Sequence, residues 1–133
     1  MVRILFLCVE NAGRSKMAEA FARRLAPSGI EVFSAGSRPA QQIHPAVLAA
    51  MREVGIELGD QIPKGLESLP AEQFDAVVEM GCGDACPTQG GKRMISWDIP
   101  NPKDQSLEVV RQIRNQIEEK VRDLLSKLPF HQS

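Results

Sequence analysis

Ile4-Leu5-Phe6-Leu7-Cys8-Val9-Glu10-Asn11-Ala12-Gly13-Arg14-Ser15 starts as an apolar run, turns polar, and ends where a second pattern begins. Ile4 to Val9 is continuously apolar, which predicts a central parallel strand covered on both faces. From Arg14 onward the period changes. Met17, Ala18, Phe21, Ala22 and Leu25 recur at helical spacing, with Lys16, Glu19 and Arg23 on the opposite side of the wheel. Cys8 and Arg14 thus bracket a short strand-to-helix loop. The backbone N–H groups of such a loop can point inward at a helix N-terminus, which suits an oxyanion.

The rest of the chain continues the alternation. Pro27-Ser28-Gly29 ends the first helix, Ile30 to Ser34 reads as a second strand, and Ala35-Gly36 as a turn. Ser37 to His44 is mostly polar. Pro45 suits the first turn of a helix whose buried stripe is Val47, Leu48, Met51 and Val54 and whose stop is Gly55. Residues 56–71 are broken by Gly59, Pro63, Gly65 and Pro70, with room for a helical turn near Leu66 to Leu69. Phe74 to Met80 is a third strand and Arg93 to Trp97 a short fourth. Between them lies a glycine-rich loop, Gly81 to Gly91, that carries Cys82 and Cys86. After the proline-punctuated loop Asp98 to Gln105, Ser106 is a good N-cap for a final helix. Its stripe is Leu107, Val110, Ile113, Ile117, Val121, Leu124 and Leu128.

This order implies α/β architecture: one domain over residues 1–133, with a four-stranded parallel sheet flanked by helices. In open sheets of this kind ligands bind beyond the carboxyl ends of the strands. The first loop, the Gly81–Gly91 loop and the Asp98–Gln105 loop all leave such ends and can meet over one site.

Composition narrows the partners. A length of 133 residues supports a core without staples, and a net charge of −1 gives no reason to expect nucleic acid or an anionic membrane. No apolar run approaches the roughly 20 residues of a membrane span. Ile4 to Val9 is too short for a signal-peptide core and lacks a small-residue cleavage site, so the chain reads as cytoplasmic. In that reducing compartment three cysteines are structural thiols, metal ligands or redox catalysts. Zinc wants four ligands, and His44 and His131 are both remote in sequence from the cysteines, so no metal site is expected.

A thiol attacks as its thiolate, and a helix N-terminus beside a cation favours that form. Arg14 can grip two oxygens of a tetrahedral anion with its planar fork. Ser15 can hydrogen-bond the Cys8 sulfur, Asn11 can brace the loop, and Gly13 allows its tight curvature. A bare Cys-x5-Arg pattern also fits a buried cysteine and a solvent-exposed arginine. A strand before it and a helix after it favour the oxyanion loop.

Cys8-Val9-Glu10-Asn11-Ala12-Gly13-Arg14-Ser15-Lys16-Met17-Ala18-Glu19 resembles the phosphate-binding loop and first helix of low-molecular-weight protein tyrosine phosphatases. It resembles still more the arsenate reductases that share their fold. Ser34-Ala35-Gly36, His44-Pro45, the Gly81–Pro87 segment and the Trp97–Pro102 segment extend the likeness over nearly the whole chain. The resemblance implies reduction of arsenate to arsenite with no cofactor. The oxyanion would be held by the loop residues Glu10, Asn11, Ala12, Gly13, Arg14 and Ser15. Cys8 would form a thiol–arsenate adduct, Cys82 would attack Cys8 as arsenite leaves, and Cys86 would attack Cys82. An external dithiol such as thioredoxin would reduce the Cys82–Cys86 pair. Only three residues separate these two cysteines, so a low-molecular-weight thiol with a glutaredoxin-like protein stays open as the reductant.

Three features temper the likeness. Glu10 is unusual in an anion loop and is expected to turn to solvent. Where the family carries an Asp-Pro general acid this chain has Asn101-Pro102, and an amide has no titratable proton. Asp98 and Asp104 lie in the same loop as possible substitutes. Lys103 stands where phosphatases place an aromatic wall, so a tyrosine phosphatase is the weaker enzyme reading, and a non-catalytic oxyanion or redox sensor a further one. By the same resemblance, Glu19, Ser34 and Asn11 match a monovalent-cation site of some reductases, with Lys64 near the place of a further acidic ligand. Lys64 either replaces the ion or is a surface lysine. Trp97 is read as a packing residue, His44 as a turn residue without a catalytic partner, and Lys92 and Arg93 as cations able to guide an anion.

Overall fold

A computed structural model describes residues 2–70, 74–81 and 93–127. Its elements are β1 (Val2–Cys8), α1 (Arg14–Leu25), β2 (Ile30–Gly36), α2 (Pro45–Glu53), a 3-10 turn (Leu66–Ser68), β3 (Ala76–Glu79), β4 (Met94–Ser96) and α3 (Leu107–Ser126). The four strands form one parallel sheet in the order β2-β1-β3-β4. This is the four-stranded α/β arrangement that the alternation of periods implies. Cys82, Cys86, Lys92, Leu128 and His131 lie outside the described residues.

β1 is central because Ile4 to Cys8 are buried without a break, and only a strand with neighbours on both sides can bury such a run. Ile4, Phe6 and Cys8 face the main core, shared with Met17 and Phe21 of α1, Val47 and Met51 of α2, and Val110, Ile113 and Ile117 of α3. Leu5 and Leu7 face a smaller cluster with Ala35, Phe74 and Val77, packed by Leu66 and Leu69. Trp97 is buried against Phe6, ring centroids 5.8 Å apart, as a packing residue.

Two local readings change. Ala35-Gly36 is no turn but the end of β2, paired with Leu7 and Cys8. Gly36 is glycine because of proximity: a Cβ there would stand 2.6 Å from the Val9 carbonyl oxygen and 2.8 Å from the Asn11 nitrogen. In α1, Lys16 and Glu19 do not face solvent; both side chains are at least 98% buried. The wheel places them away from the apolar stripe, but their end of the helix enters the molecule beneath the first loop, where polar partners await them.

The other boundaries follow local chemistry. Gly55 stops α2 at a φ of +83°, where an L side chain is strained. Ser106 caps α3 by accepting the Val109 N–H. α3 is tied to the end of α2 through Glu53, which takes a two-pronged contact from Arg111 and a bond of 2.8 Å from Arg114. Arg114, nearly buried, also donates to the Ala50 carbonyl.

The two guanidinium groups hold the Glu53 carboxyl down from its ordinary 4.5 to about 2, mainly through hydrogen bonds from Arg111 and then Arg114. Between those values the unfolded chain binds the proton that the folded chain refuses. The contribution to stability is therefore complete above pH 4.5 and is lost as pH falls through about 2. Glu53→Gln is expected to unfold at lower urea than the parent at pH 7, the two midpoints converging toward pH 2. A gap that does not vary with pH would rule the clamp out.

Candidate active site

The loop between β1 and α1 turns its carbonyls outward. Those of Cys8, Val9, Glu10 and Ala12 accept the N–H groups of Ser37, Arg38, Ala40 and His44, at 3.2, 2.7, 3.0 and 3.1 Å. The polar segment 37–44 therefore serves as the outer half of the loop's hydrogen bonding. With their carbonyls engaged outside, the peptide units are free to turn N–H groups the other way. α1 adds to this, since its N-cap, Gly13, makes no side-chain cap and its first turn holds no acid.

Asn11 is the hub. Its φ is +52°, a left-handed conformation that asparagine tolerates better than most residues. Its backbone N–H points at Cys8 Sγ, 3.3 Å away. Its amide Oδ1 accepts the Lys64 N–H at 2.8 Å, which fixes the amide orientation. Nδ2 then spends its two hydrogens on Ser15 Oγ, at 2.7 Å, and Ser34 Oγ, at 3.0 Å. Ser34 passes its own hydrogen to Glu19 Oε1 at 2.8 Å, because a carboxylate only accepts. Ser15 Oγ, which accepts from Asn11, lies 2.9 Å from Cys8 Sγ, and against a thiolate its hydroxyl is the donor. The Glu19 carboxylate thereby sets the direction of the Ser34 hydroxyl, and the Lys64 N–H sets that of the Asn11 amide.

Glu19 is balanced by cations. Arg23 lies 2.9 Å from Oε2 and Lys16 Nζ 3.7 Å from Oε1, with Lys16 also donating to Gln61. Burial pulls the Lys16 pKa down and Glu19 pulls it back up. This answers the cation-site resemblance in a way not anticipated. Lys64 contributes its backbone, and it is Lys16 whose ammonium stands at Glu19. An ion placed here would meet the Asn11 amide nitrogen and an ammonium in place of oxygens, so the residues do not fit one. Among the described residues no group of three or more His, Cys, Asp or Glu could hold a metal.

Arg14, 8% exposed, donates from one guanidinium nitrogen to the Ile99 carbonyl at 3.1 Å. The group also lies against Gly81, whose φ is +97° and where any Cβ would collide with the guanidinium. Gly81 is held in turn by Glu79, which accepts from its N–H at 2.6 Å and from Ser96 Oγ at 2.7 Å. Arg14 is thus seated between the ends of β3 and β4. Gly13 owes its identity to a neighbour and not to curvature. Its φ is −144°, and a Cβ would stand 2.7 Å from the Pro102 ring.

Cys8, Val9, Glu10, Gly13, Arg14, His44, Asn101 and Lys103 line one pocket of about 150 Å³. Of the residues singled out from sequence, Cys8, Glu10, Gly13, Arg14, His44, Asn101 and Lys103 reach it, and Asn11 and Ser15 stand behind Cys8. Asp98 and Asp104 do not line it. Asn101 Oδ1 accepts the Lys103 N–H at 3.0 Å and so braces its own loop. Glu10 does not simply turn to solvent. Its two carboxylate oxygens meet His44 Nε2 at 3.4 Å and Lys103 Nζ at 3.2 Å. His44, read from sequence as a turn residue without a catalytic partner, lines the pocket beside Glu10, and Lys103, which follows Asn101-Pro102, lines it as the pairing partner of Glu10.

Residues 3–132 match the family described as low molecular weight phosphotyrosine protein phosphatase. The chain belongs to that family. It is 37% identical over 131 residues to a glutaredoxin arsenate reductase of Synechocystis sp., covering 96% of this chain and 99% of that one. A solved arsenate reductase in a phosphate-binding state superimposes with a TM-score of 0.86 at 35% identity, over 96% of this chain and 99% of the other. A thioredoxin-dependent arsenate reductase of Corynebacterium glutamicum gives 0.79 at 36% identity, over 99% of this chain and 64% of that one.

Ser34 tests the hub. Ser34→Ala leaves one Asn11 hydrogen and one Glu19 oxygen without partners in a buried place, which costs about 1–3 kcal/mol. The urea midpoint is expected to fall with the slope of the transition unchanged. An unaltered midpoint would show that the chain of bonds from Glu19 to Cys8 carries no stability.

Proposed function

We propose that this chain is an arsenate reductase, acting in a reducing compartment such as the cytoplasm. The observation that carries the reading is the placement of Cys8 Sγ, bonded by Ser15 Oγ, in one pocket with Arg14. The names of its relatives point the same way. In this reading the loop and Arg14 hold arsenate while the Cys8 thiolate attacks arsenic, and one oxygen leaves as water after taking up protons. The thiolate of Cys82 then attacks Cys8 Sγ. A Cys8–Cys82 disulfide forms, the S–As bonding pair stays with arsenic, and arsenite departs. Cys86 attacks Cys82, freeing Cys8 and leaving a Cys82–Cys86 disulfide. The two electrons gained by arsenic come from two thiolates, and an external reductant restores them: thioredoxin, or a low-molecular-weight thiol with a glutaredoxin-like protein.

Tyrosine phosphatase chemistry is the poorer fit to this pocket. A phenolate leaving group is helped by a proton donor, and the position for it holds Asn101, which bonds its own loop. Arsenate carries exchangeable protons on the oxygen that leaves.

Thiol counting tests the reading. Reduced protein given arsenate without a recycling system is expected to lose two thiols for each arsenite formed. Cys8→Ser should form none, and Cys86→Ser should stop after at most one turnover with a dithiol reductant. Full multiple turnover by Cys86→Ser would remove the third thiol from the relay. Hydrolysis of p-nitrophenyl phosphate that survives loss of Cys82, with no thiols consumed by arsenate, would restore the phosphatase reading.

A further inference from the structure

The pocket that holds Cys8 and Arg14 is lined at its mouth by a carboxylate, and an anion site gains no affinity from one. Glu10 is the only carboxylate among the described lining residues, with its side chain 27% exposed. It is not loose. Lys103 Nζ holds one oxygen and His44 Nε2 the other, while the Glu10 carbonyl accepts the Ala40 N–H at 3.0 Å. His44 is itself fastened through its backbone N–H to the Ala12 carbonyl, and Lys103 through its N–H to Asn101 Oδ1. The carboxylate thus sits beside the pocket, hydrogen-bonded by Lys103 at 3.2 Å and with His44 Nε2 3.4 Å from its other oxygen.

An ionised carboxylate can only accept hydrogen bonds, whereas inward loop amides, Arg14 and Lys103 can only donate. A tetrahedral anion in this pocket meets the donors of Arg14 and Lys103, the donor–acceptor groups of His44 and Asn101, and one carboxylate, that of Glu10. We propose that Glu10 is a specificity-determining residue that selects tetrahedral oxyanions bearing a hydroxyl and rejects those without one. Hydrogen arsenate and hydrogen phosphate offer an O–H to the rim carboxylate near neutral pH. Sulfate, of similar size and geometry, offers only lone pairs and faces repulsion there. Sites that place an acceptor for a ligand hydroxyl discriminate against analogues that lack one; beside its contact with Lys103 or His44 each Glu10 oxygen keeps a lone pair that a hydroxyl can bond and a bare oxygen repels. For a reductase this matters, since sulfate is an abundant, unreactive competitor for any site made only of donors. The inference rests on the oxyanion reading of the pocket.

Equilibrium binding separates the two. Phosphate and sulfate are titrated by calorimetry into the reduced full chain at pH 7 and constant ionic strength, for the parent and for Glu10→Gln. The parent is expected to bind phosphate at least about tenfold more tightly than sulfate, the size of one charge-assisted hydrogen bond. Glu10→Gln is expected to bring the ratio close to one, sulfate gaining and phosphate losing. Glu10→Asp, which keeps the charge, should retain part of the preference. A parent ratio near one overturns the proposal without recourse to any variant. A ratio unchanged in Glu10→Gln, or both anions gaining equally, also overturns it, the latter reducing Glu10 to general repulsion. If the parent binds neither anion, the oxyanion reading itself fails.

Discussion

The site depends on where the carbonyls of one loop are sent. A loop can offer N–H groups to an anion only if its carbonyl oxygens have partners elsewhere, since backbone groups withdrawn from water must be satisfied. Here four of those oxygens, from Cys8, Val9, Glu10 and Ala12, are taken by the amides of the 37–44 segment. The segment can reach them because β2 runs parallel to β1 and pairs Gly36 with Cys8, so the chain leaves the sheet beside the loop. Gly36 has no side chain to hold the two apart. Strand pairing, a missing Cβ and a polar connection together present the sulfur of Cys8.

Behind the loop, charge is used at a distance. The Glu19 carboxylate is two hydroxyls and one amide away from Cys8 Sγ; it orients the Ser34 hydroxyl, while the Lys64 N–H orients the Asn11 amide between them. The interior ammonium of Lys16 and the half-exposed guanidinium of Arg23 make its burial tolerable. In front, Glu10, His44 and Lys103 form a second charged group, at the rim. The two groups differ in place: the buried one ends a chain of bonds to the sulfur, and the outer one lines the pocket.

Much of this was legible in sequence, and the reasons are local. A six-residue apolar run followed by helical periodicity leaves little choice but a buried strand, a short loop and a helix. Cys8, Asn11, Gly13, Arg14 and Ser15 sit on that loop whatever the rest of the chain does. The role of Gly13 was misread because glycine has two uses, turning and yielding space, and a sequence does not say which neighbour needs the space. Lys16 and Glu19 were misplaced for a related reason. A helical wheel ranks faces by polarity, whereas this helix end is enclosed by a loop, a strand and Gln61, so polar residues there are buried as a bonded set.

Sequence by itself determined the order of elements, the parallel sheet and the identity of the loop that carries Cys8 and Arg14, because periodicity and turn residues act over a few neighbours. It could not determine that Glu10 meets His44 and Lys103, that Pro102 presses on Gly13, or that Gly81 makes room for Arg14. Those pairs are separated by 34 to 93 positions, and only the meeting of strand ends over one sheet edge brings them within contact. Distance along the chain carries no record of such meetings; packing decides them.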